Sequence, residues 1–240
     1  MPGRLQDKVA IVTGASRGIG EAISRVFVAE GARVVGVARS AGALEALARD
    51  LAAAGAGGRF VPRVADVTSP GAAKEAVRET LERWGRIDIL VNNAGVGHFA
   101  PVADLAEAAW DEMMAVNLKA PFLWSQAVLP HMMERRDGHI IMISSVAGTT
   151  TFVNGAGYCA SKWGLMALAD TLRQEVRPYE LRVTAVCPGS VQTHFGGTPP
   201  RDYSLRPEDV AHTVLEVAAA PRRVVYGTVI VRPLVPADRQ

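Results

Sequence analysis

Tyr158 and Lys162 stand four residues apart in a stretch with helical pattern, so their side chains share one helix face about one turn apart. That spacing sets a phenol beside an ammonium, a pairing that bears on where the phenol's proton sits. Upstream, Ser144 and Ser145 end one apolar run, and Asn92-Asn93-Ala94-Gly95 follows another. Near the start of the chain, Thr13-Gly14-Ala15-Ser16-Arg17-Gly18-Ile19-Gly20 joins an apolar run to an amphipathic stretch. Glycines there permit a tight turn and close approach of backbone to a phosphate, and the helix that follows offers free N–H groups to an anion. The spacing is GxxxGxG rather than GxGxxG. A P-loop is excluded, because position 19 is Ile and no Lys-Ser/Thr pair follows. Where an NAD-selective chain places a carboxylate for the ribose 2′-hydroxyl, this one reads Val37-Ala38-Arg39-Ser40. Arg39 with Arg17 offers a 2′-phosphate two cations and no carboxylate at the strand end, which points to NADP(H).

Holding these groups at one edge takes a sheet. Seven short β-branched runs, 9–13, 33–38, 60–65, 88–91, 139–144, 182–187 and 228–232, read as strands. They are nearly continuous in apolar residues, as strands buried on both faces of a parallel sheet are. Helical stretches at 18–30, 40–54, 70–83, 158–177 and 207–219 alternate with them, giving an α/β, doubly wound fold of the Rossmann type with helices on both faces. The interval 104–136 carries helical pattern on both sides of Asn117 and reads as two consecutive helices or one kinked helix. Such sheets bind ligands outside the carboxyl ends of their strands. The glycine loop, the Asn92–Gly95 motif and Ser145 all fall there. Residues 189–206, with Gly196, Gly197, Pro199 and Pro200, have no period and read as a loop bordering the site.

The 240 residues read as one domain. With 49% apolar and 21% charged residues, disorder is excluded as an overall description. Twenty-six Lys and Arg against 24 Asp and Glu leave +2 and no clustered basic face, which argues against nucleic acid as a partner. No apolar run approaches the length of a membrane span. Cys159 and Cys187, without CxxC spacing and among apolar neighbours, read as reduced core thiols in a cytoplasmic setting. The five histidines lack metal-ligand spacing, so no metal site is expected. His98 and His194 fall in segments that border the pocket.

Together and in this order, these motifs resemble the short-chain dehydrogenase/reductase family, in its single-domain oxidoreductase subgroup, over residues 8 to about 232. Also part of the pattern are Asp66-Val67, Asn117, Tyr158-Cys159-Ala160-Ser161-Lys162, and Pro188-Gly189 followed by Val191 and Thr193. The family's usual interval before the tyrosine selects Ser145 over Ser144. Two departures are Leu118-Lys119-Ala120 after Asn117, where a glycine is frequent, and the lack of a terminal glycine pair in 227–233. The resemblance implies a cofactor-dependent interconversion of a carbonyl and an alcohol. Tyr158 would be the general acid in reduction and the base in oxidation, Lys162 would hold the ribose hydroxyls, Asn117 would keep a water in the proton relay, and Ser145 would bind the substrate oxygen. Cofactor contacts are implied for Gly14, Ser16, Arg17, Gly18, Ile19, Gly20, Arg39, Asp66, Val67, Asn92, Ala94, Gly95, Tyr158, Lys162, Pro188, Gly189, Val191 and Thr193. Substrate contacts are implied for Ser145, Val146, Phe152, Tyr158 and Phe195. An ammonium about 4 Å from a phenol contributes on the order of 4 kcal/mol at an effective dielectric of about 20. Moving a phenol from about 10 to between about 7 and 8 takes a similar amount, so Lys162 is expected to do most of it, helped by the positive nicotinamide of the oxidised cofactor. The resemblance also implies a homotetramer, or at least a homodimer, through helices in 111–133 and 158–177, the first carrying Met114, Leu118, Phe122 and Val128.

The segments expected around the reacting groups are mostly apolar: Val96, Phe99, Val146, Phe152, Val153, Val191, Phe195 and Tyr203. Burying a carboxylate there without a paired cation is costly, which favours a neutral small-molecule carbonyl or alcohol substrate. The end segment 229–234 resembles relatives that oxidise 3-hydroxy acids, serine among them. That alternative needs Arg201, Arg206, His98 or His194 to reach the pocket. A non-catalytic NADPH-binding sensor is a reading of another class, and its expected mark, a broken Tyr/Lys pair, is absent here.

Overall fold

Seven strands, Val9–Thr13 (β1), Arg33–Ala38 (β2), Phe60–Val64 (β3), Ile89–Asn92 (β4), His139–Ile143 (β5), Arg182–Pro188 (β6) and Thr228–Val231 (β7), form one parallel sheet in the order β3-β2-β1-β4-β5-β6-β7. This is a computed structural model, and it describes residues 3–193, 195–197 and 202–235. Side chains alternate between two apolar layers as the pleat requires. Ala10, Val12, Ile89, Val91, Ile141 and Ile143 face α1 (Gly18–Ala29), α2 (Ala41–Leu51) and α7 (Pro207–Ala218). Ile11, Leu90, Ile140 and Met142 face α3 (Ala72–Trp84), α5 (Ala120–Arg135) and α6 (Ala156–Val176). Continuous burial holds for β1, β4 and β5, and for β2 and β6 after their first residues, Arg33 and Arg182. It fails for β3 and β7, where exposure alternates along the strand, because these are the sheet edges and the helix layers do not fully cover them.

The strand order reverses between β1 and β4, which pair in register from Ala10↔Ile89 to Val12↔Val91. A crevice opens there at the carboxyl edge. At the opposite edge, buried Asp88 accepts from the Val9 N–H at 2.9 Å and from the guanidiniums of Arg86 and Arg135, tying the starts of β1 and β4 to the end of α5.

Residues 107–135 form one helical run with a change of register. Glu107–Met114 (α4) continues through a π-helical turn, Ala115–Lys119, into α5, with the Ala120 N–H reaching back to the Ala115 oxygen. Asn117 sits at the centre of that turn. Pro121, four residues on, has no N–H to give the Asn117 carbonyl. The loop of 189–206 is pinched at its base, where the Leu205 N–H donates to the Ser190 oxygen at 2.9 Å and the Gln192 N–H to the Leu205 oxygen at 2.7 Å. Both ends of the loop therefore meet beside the end of β6.

Candidate active site

The glycine loop between β1 and α1 is shaped as a cradle. Gly14 and Gly18 adopt φ of +67° and +58°, which favour glycine. A Cβ on Gly20 would lie 2.2 Å from the Gly14 oxygen, so helix and strand approach as closely as only glycine allows. Arg17, at the N-cap of α1, is exposed and places no side-chain cap on the helix, which leaves the first-turn amides open to an anion. Thr193 reaches across from beyond β6, with its Cγ2 3.2 Å from where a Gly18 Cβ would be. At the end of β2, Arg39 is 70% exposed, with the Asp66 carboxylate 4.0 Å away. Sequence spacing alone places no anion beside Arg39. Parallel pairing of β2 with β3 brings one there, because Ala38 aligns with Val64 and the Ala65 N–H bonds the Ala38 oxygen. Asp66 is held below the ordinary carboxylate range, chiefly by the Thr68 hydroxyl and N–H, both on Oδ1. Trp124, fully buried, donates to the Val67 carbonyl at 3.1 Å and fixes this corner. These groups fit a dinucleotide whose phosphates lie on the start of α1.

The Asn92–Gly95 motif divides its labour. The Asn92 side chain is buried, donating towards Ser125 Oγ at 3.2 Å and Met142 Sδ at 3.3 Å, so Asn92 offers the crevice only backbone. Asn93, which spacing did not single out, supports the cradle instead. Its Nδ2 donates to the Thr13 oxygen at 2.9 Å, and Thr13 Oγ1 accepts from the N–H groups of Asn93 and Ala94. Its position as the second of an Asn doublet was the only available signal. A Cβ on Gly95 would lie 3.4 Å from Asn117 Oδ1 and 3.8 Å from Lys162 Nζ, so this loop runs directly over the second group of residues. Pro188 ends β6, the Gly189 N–H bonds the Val231 oxygen at 2.7 Å, and Val191 packs into the apolar layer of α1 and α7.

Tyr158, Lys162 and Ser145 converge at the end of β5. Lys162 is 3% exposed, its Nζ donates to the Ile143 oxygen at 3.0 Å, and it lies 5.8 Å from the Tyr158 ring centroid. Burial pushes the ammonium down to about 8. The expected lowering of the phenol is not found. Burial pushes Tyr158 up to about 12, and the hydrogen-bonding hydroxyl of Ser145 opposes that only in part. The burial has a remote source: the rings of Phe99 and Phe195 stand 5.7 and 5.5 Å from that of Tyr158. Ser145 is extended and also accepts from the Ala147 N–H at 3.1 Å, capping the turn Val146–Gly148. Asn117 is fully buried and its amide is nearly saturated. Oδ1 accepts from the Val96 N–H at 2.8 Å, and Nδ2 donates to the Val96 oxygen at 2.9 Å and to Ser161 Oγ at 3.0 Å. Its side chain is a clamp between the loop after β4 and α6, and Ser161 is a partner that spacing missed.

Of the apolar residues expected around this group, Val96, Phe99 and Phe195 gather at Tyr158, and Phe152 packs on Phe99 at 5.8 Å. Val153 does not join them; it is 88% exposed. Arg206 caps α7, its N–H donating to Asp209 Oδ2 at 2.7 Å. His194 and Arg201 lie outside the described residues. His98 does border the pocket, with Nε2 2.7 Å from Glu112 Oε2.

A cradle for phosphates lies beside a buried phenol, ammonium and hydroxyl, and the family model described as short chain dehydrogenase matches residues 8–203. The chain belongs to the short-chain dehydrogenase/reductase family. As a short-chain dehydrogenase it is an oxidoreductase acting on CH–OH groups of small molecules. It is 36% identical over 239 residues to the 3-oxoacyl-(acyl-carrier-protein) reductase of Thermotoga maritima, covering 95% of this chain and 96% of that protein. A metagenomic short-chain oxidoreductase solved in complex with NADP is 40% identical with a TM-score of 0.86, over 98% of this chain and 100% of the other. The serine dehydrogenase of Escherichia coli is 32% identical with a TM-score of 0.83, over 93% and 96% of the two chains. Among the described residues, no helix of this dehydrogenase is long and apolar enough to cross a membrane.

Proposed function

We propose that the protein is an NADP(H)-dependent oxidoreductase that interconverts a neutral aldehyde or ketone and its alcohol, with Tyr158 as the proton donor in reduction and acceptor in oxidation. The convergence of Tyr158, Ser145 and buried Lys162 beside the glycine cradle carries this reading. Ser145 Oγ donates to the substrate's carbonyl oxygen and holds it against Tyr158 Oη. Tyr158, kept protonated by burial, gives its proton to that oxygen as negative charge develops there. Lys162 Nζ holds the ribose hydroxyls, and the bound cofactor supplies the hydride. Asn117 fixes the loop of Val96 over the site and, by the family's pattern, keeps a water in the proton relay. Phe99 and Phe195 exclude solvent water.

Arg17 and Arg39 support NADP(H) over NAD(H), since Arg17 at the N-cap of α1 and Arg39 just past β2, beside Asp66, are both exposed where a 2′-phosphate would lie. The NADP complex of the metagenomic relative agrees with this. A 3-hydroxy acid is the second reading, supported by the likeness to a serine dehydrogenase. Against it, among the described residues no Lys or Arg lines the cavity beside Phe99, and His98 there is already paired with Glu112. One domain working in the cytoplasm, as a homotetramer, completes the proposal.

Steady-state turnover of ketones and aldehydes with NADPH, set beside NADP-dependent oxidation of serine and 3-hydroxybutyrate, tests it. The neutral carbonyls should be faster, and NADPH should bind at least about tenfold more tightly than NADH, about 1.4 kcal/mol. Faster hydroxy-acid oxidation, or equal binding of the two cofactors, would contradict it.

A further inference from the structure

At the amino edge of the sheet, three segments enclose a cleft. Arg177–Tyr179 makes a 3-10 turn at the end of α6, and the chain then enters β6 through Leu181 and Arg182. Ahead of β7, a turn closed by the Val224 N–H on the Pro221 oxygen at 2.8 Å sets Arg222 and Arg223 at its corners. The space between these segments is about 440 Å³, a size that suits a small molecule. β6 runs from Arg182 here to Pro188 at the carboxyl edge, about 20 Å at about 3.3 Å per residue, so the cleft is separate from the site at Tyr158. We propose that it binds a small organic phosphate, with the phosphate on Arg177, Arg182 and Arg223 and the apolar body on Leu181, Val224 and Val225.

The cleft is strongly cationic. The whole chain carries only +2, yet four arginines and a single carboxylate, Glu180, line this one place. Glu180 is already engaged, by Arg222 at 3.0 Å and, from outside the cleft, by Arg136 at 2.8 Å. Among the described residues, Arg177, Arg182 and Arg223 form no ion pair. Arg182 is half-buried, and its Nη1 donates only to the Ala220 oxygen, at 3.0 Å. Burial pulls its guanidinium below the ordinary range; Asp137 opposes this and Arg222 adds to it. Asp137 is itself shared with Lys8 and Arg135, at 3.7 and 3.9 Å. A half-buried cation without a counter-ion is costly, and an anion in the cleft relieves that cost. Three guanidinium forks offer more donors than one carboxylate can accept, whereas a phosphate dianion matches them in charge and in oxygens. Leu181, Val224 and Val225 give the cleft an apolar side that inorganic phosphate alone would leave in water. No run of the sequence shows this cluster, because its members come from 177–182 and 222–223.

Calorimetric titration of phenyl phosphate into the protein saturated with NADPH tests this, since a filled glycine cradle takes no second phosphate. A single equivalent should bind with a Kd below about 1 mM, and inorganic phosphate at least about tenfold more weakly. Arg177→Gln with Arg223→Gln, both at exposed positions, should weaken phenyl phosphate at least about tenfold while leaving NADPH affinity unchanged. Arg223→Gln alone should weaken it in the same direction, and a thermal melt identifies any variant that has failed to fold. No saturable binding to the wild type, inorganic phosphate binding as tightly as the ester, or an affinity that neither folded variant moves overturns the proposal. The carbonyl chemistry at Tyr158 stands in either case.

Discussion

Lys162 is buried as a cation with one backbone acceptor, the Ile143 oxygen. Its pKa falls from about 10.5 to about 8, so between these values the unfolded chain binds a proton that the folded one does not. Folding therefore bears the full cost below about pH 8, on the order of 3 kcal/mol, and is relieved of it as pH rises towards 10.5. Losing the Ile143 hydrogen bond takes back about 1 kcal/mol. Lys162→Met should thus melt higher than the wild type at pH 7, with the gap closing above pH 10, while NADPH binding is lost. A lower melting temperature at pH 7 would contradict this. In the wild type, kcat/KM for NADPH should fall above about pH 8 as Lys162 loses the charge that holds the ribose. The pairing of Tyr158 with Lys162 was legible from four-residue spacing. The raised phenol was not, because Phe99 and Phe195, which bury it, lie 59 and 37 residues away along the chain.

The π-helical turn Ala115–Lys119 is the element on which the site's geometry hangs. Extra residues in such a turn swing a side chain out of helical register, and here they aim Asn117 at the backbone of Val96 and at Ser161. Asn117→Ala leaves the Val96 N–H and carbonyl without these partners. The expected cost is about 2–3 kcal/mol in denaturant unfolding, together with at least about tenfold in kcat, because the loop of Val96 forms part of the pocket wall. Unchanged stability would mean that the clamp carries nothing. Sequence pattern placed helix on both sides of Asn117 but left open two helices or a kink. Register shifts of this kind follow from tertiary partners, in this case Val96 and Ser161, and not from local propensity.

Across the whole molecule, the parallel order of the sheet and its carboxyl-edge crevice followed from alternation of apolar runs with helices, whereas exposure at the outer strands did not. Local pattern cannot reveal which strand has no outer neighbour. The same limit applies to the surface expected between subunits. Val128, read as part of it, is wholly buried against the sheet. Phe122 and Trp163, 46% and 49% exposed on α5 and α6, and Trp110 on α4 are large apolar side chains that these helices leave exposed. An exposed set of large aromatics on neighbouring helices favours self-association. Light scattering at micromolar concentration should give a homotetramer, or at least a dimer, and Trp163→Glu with Phe122→Glu should reduce it to smaller species. A monomeric wild type would contradict that assembly.

In the proposed reaction Tyr158 gives the proton that completes carbonyl reduction. Single-turnover reduction by Tyr158→Phe, with NADPH binding followed by fluorescence on the same protein, tests it most directly. The phenylalanine keeps the ring that packs on Phe99 and Phe195 and removes only the hydroxyl. A loss of at least about 100-fold in the reduction step, with NADPH affinity within about twofold of the wild type, is the expected result. A variant that still reduces its substrate within about tenfold of the wild-type rate would place the proton elsewhere and contradict the account.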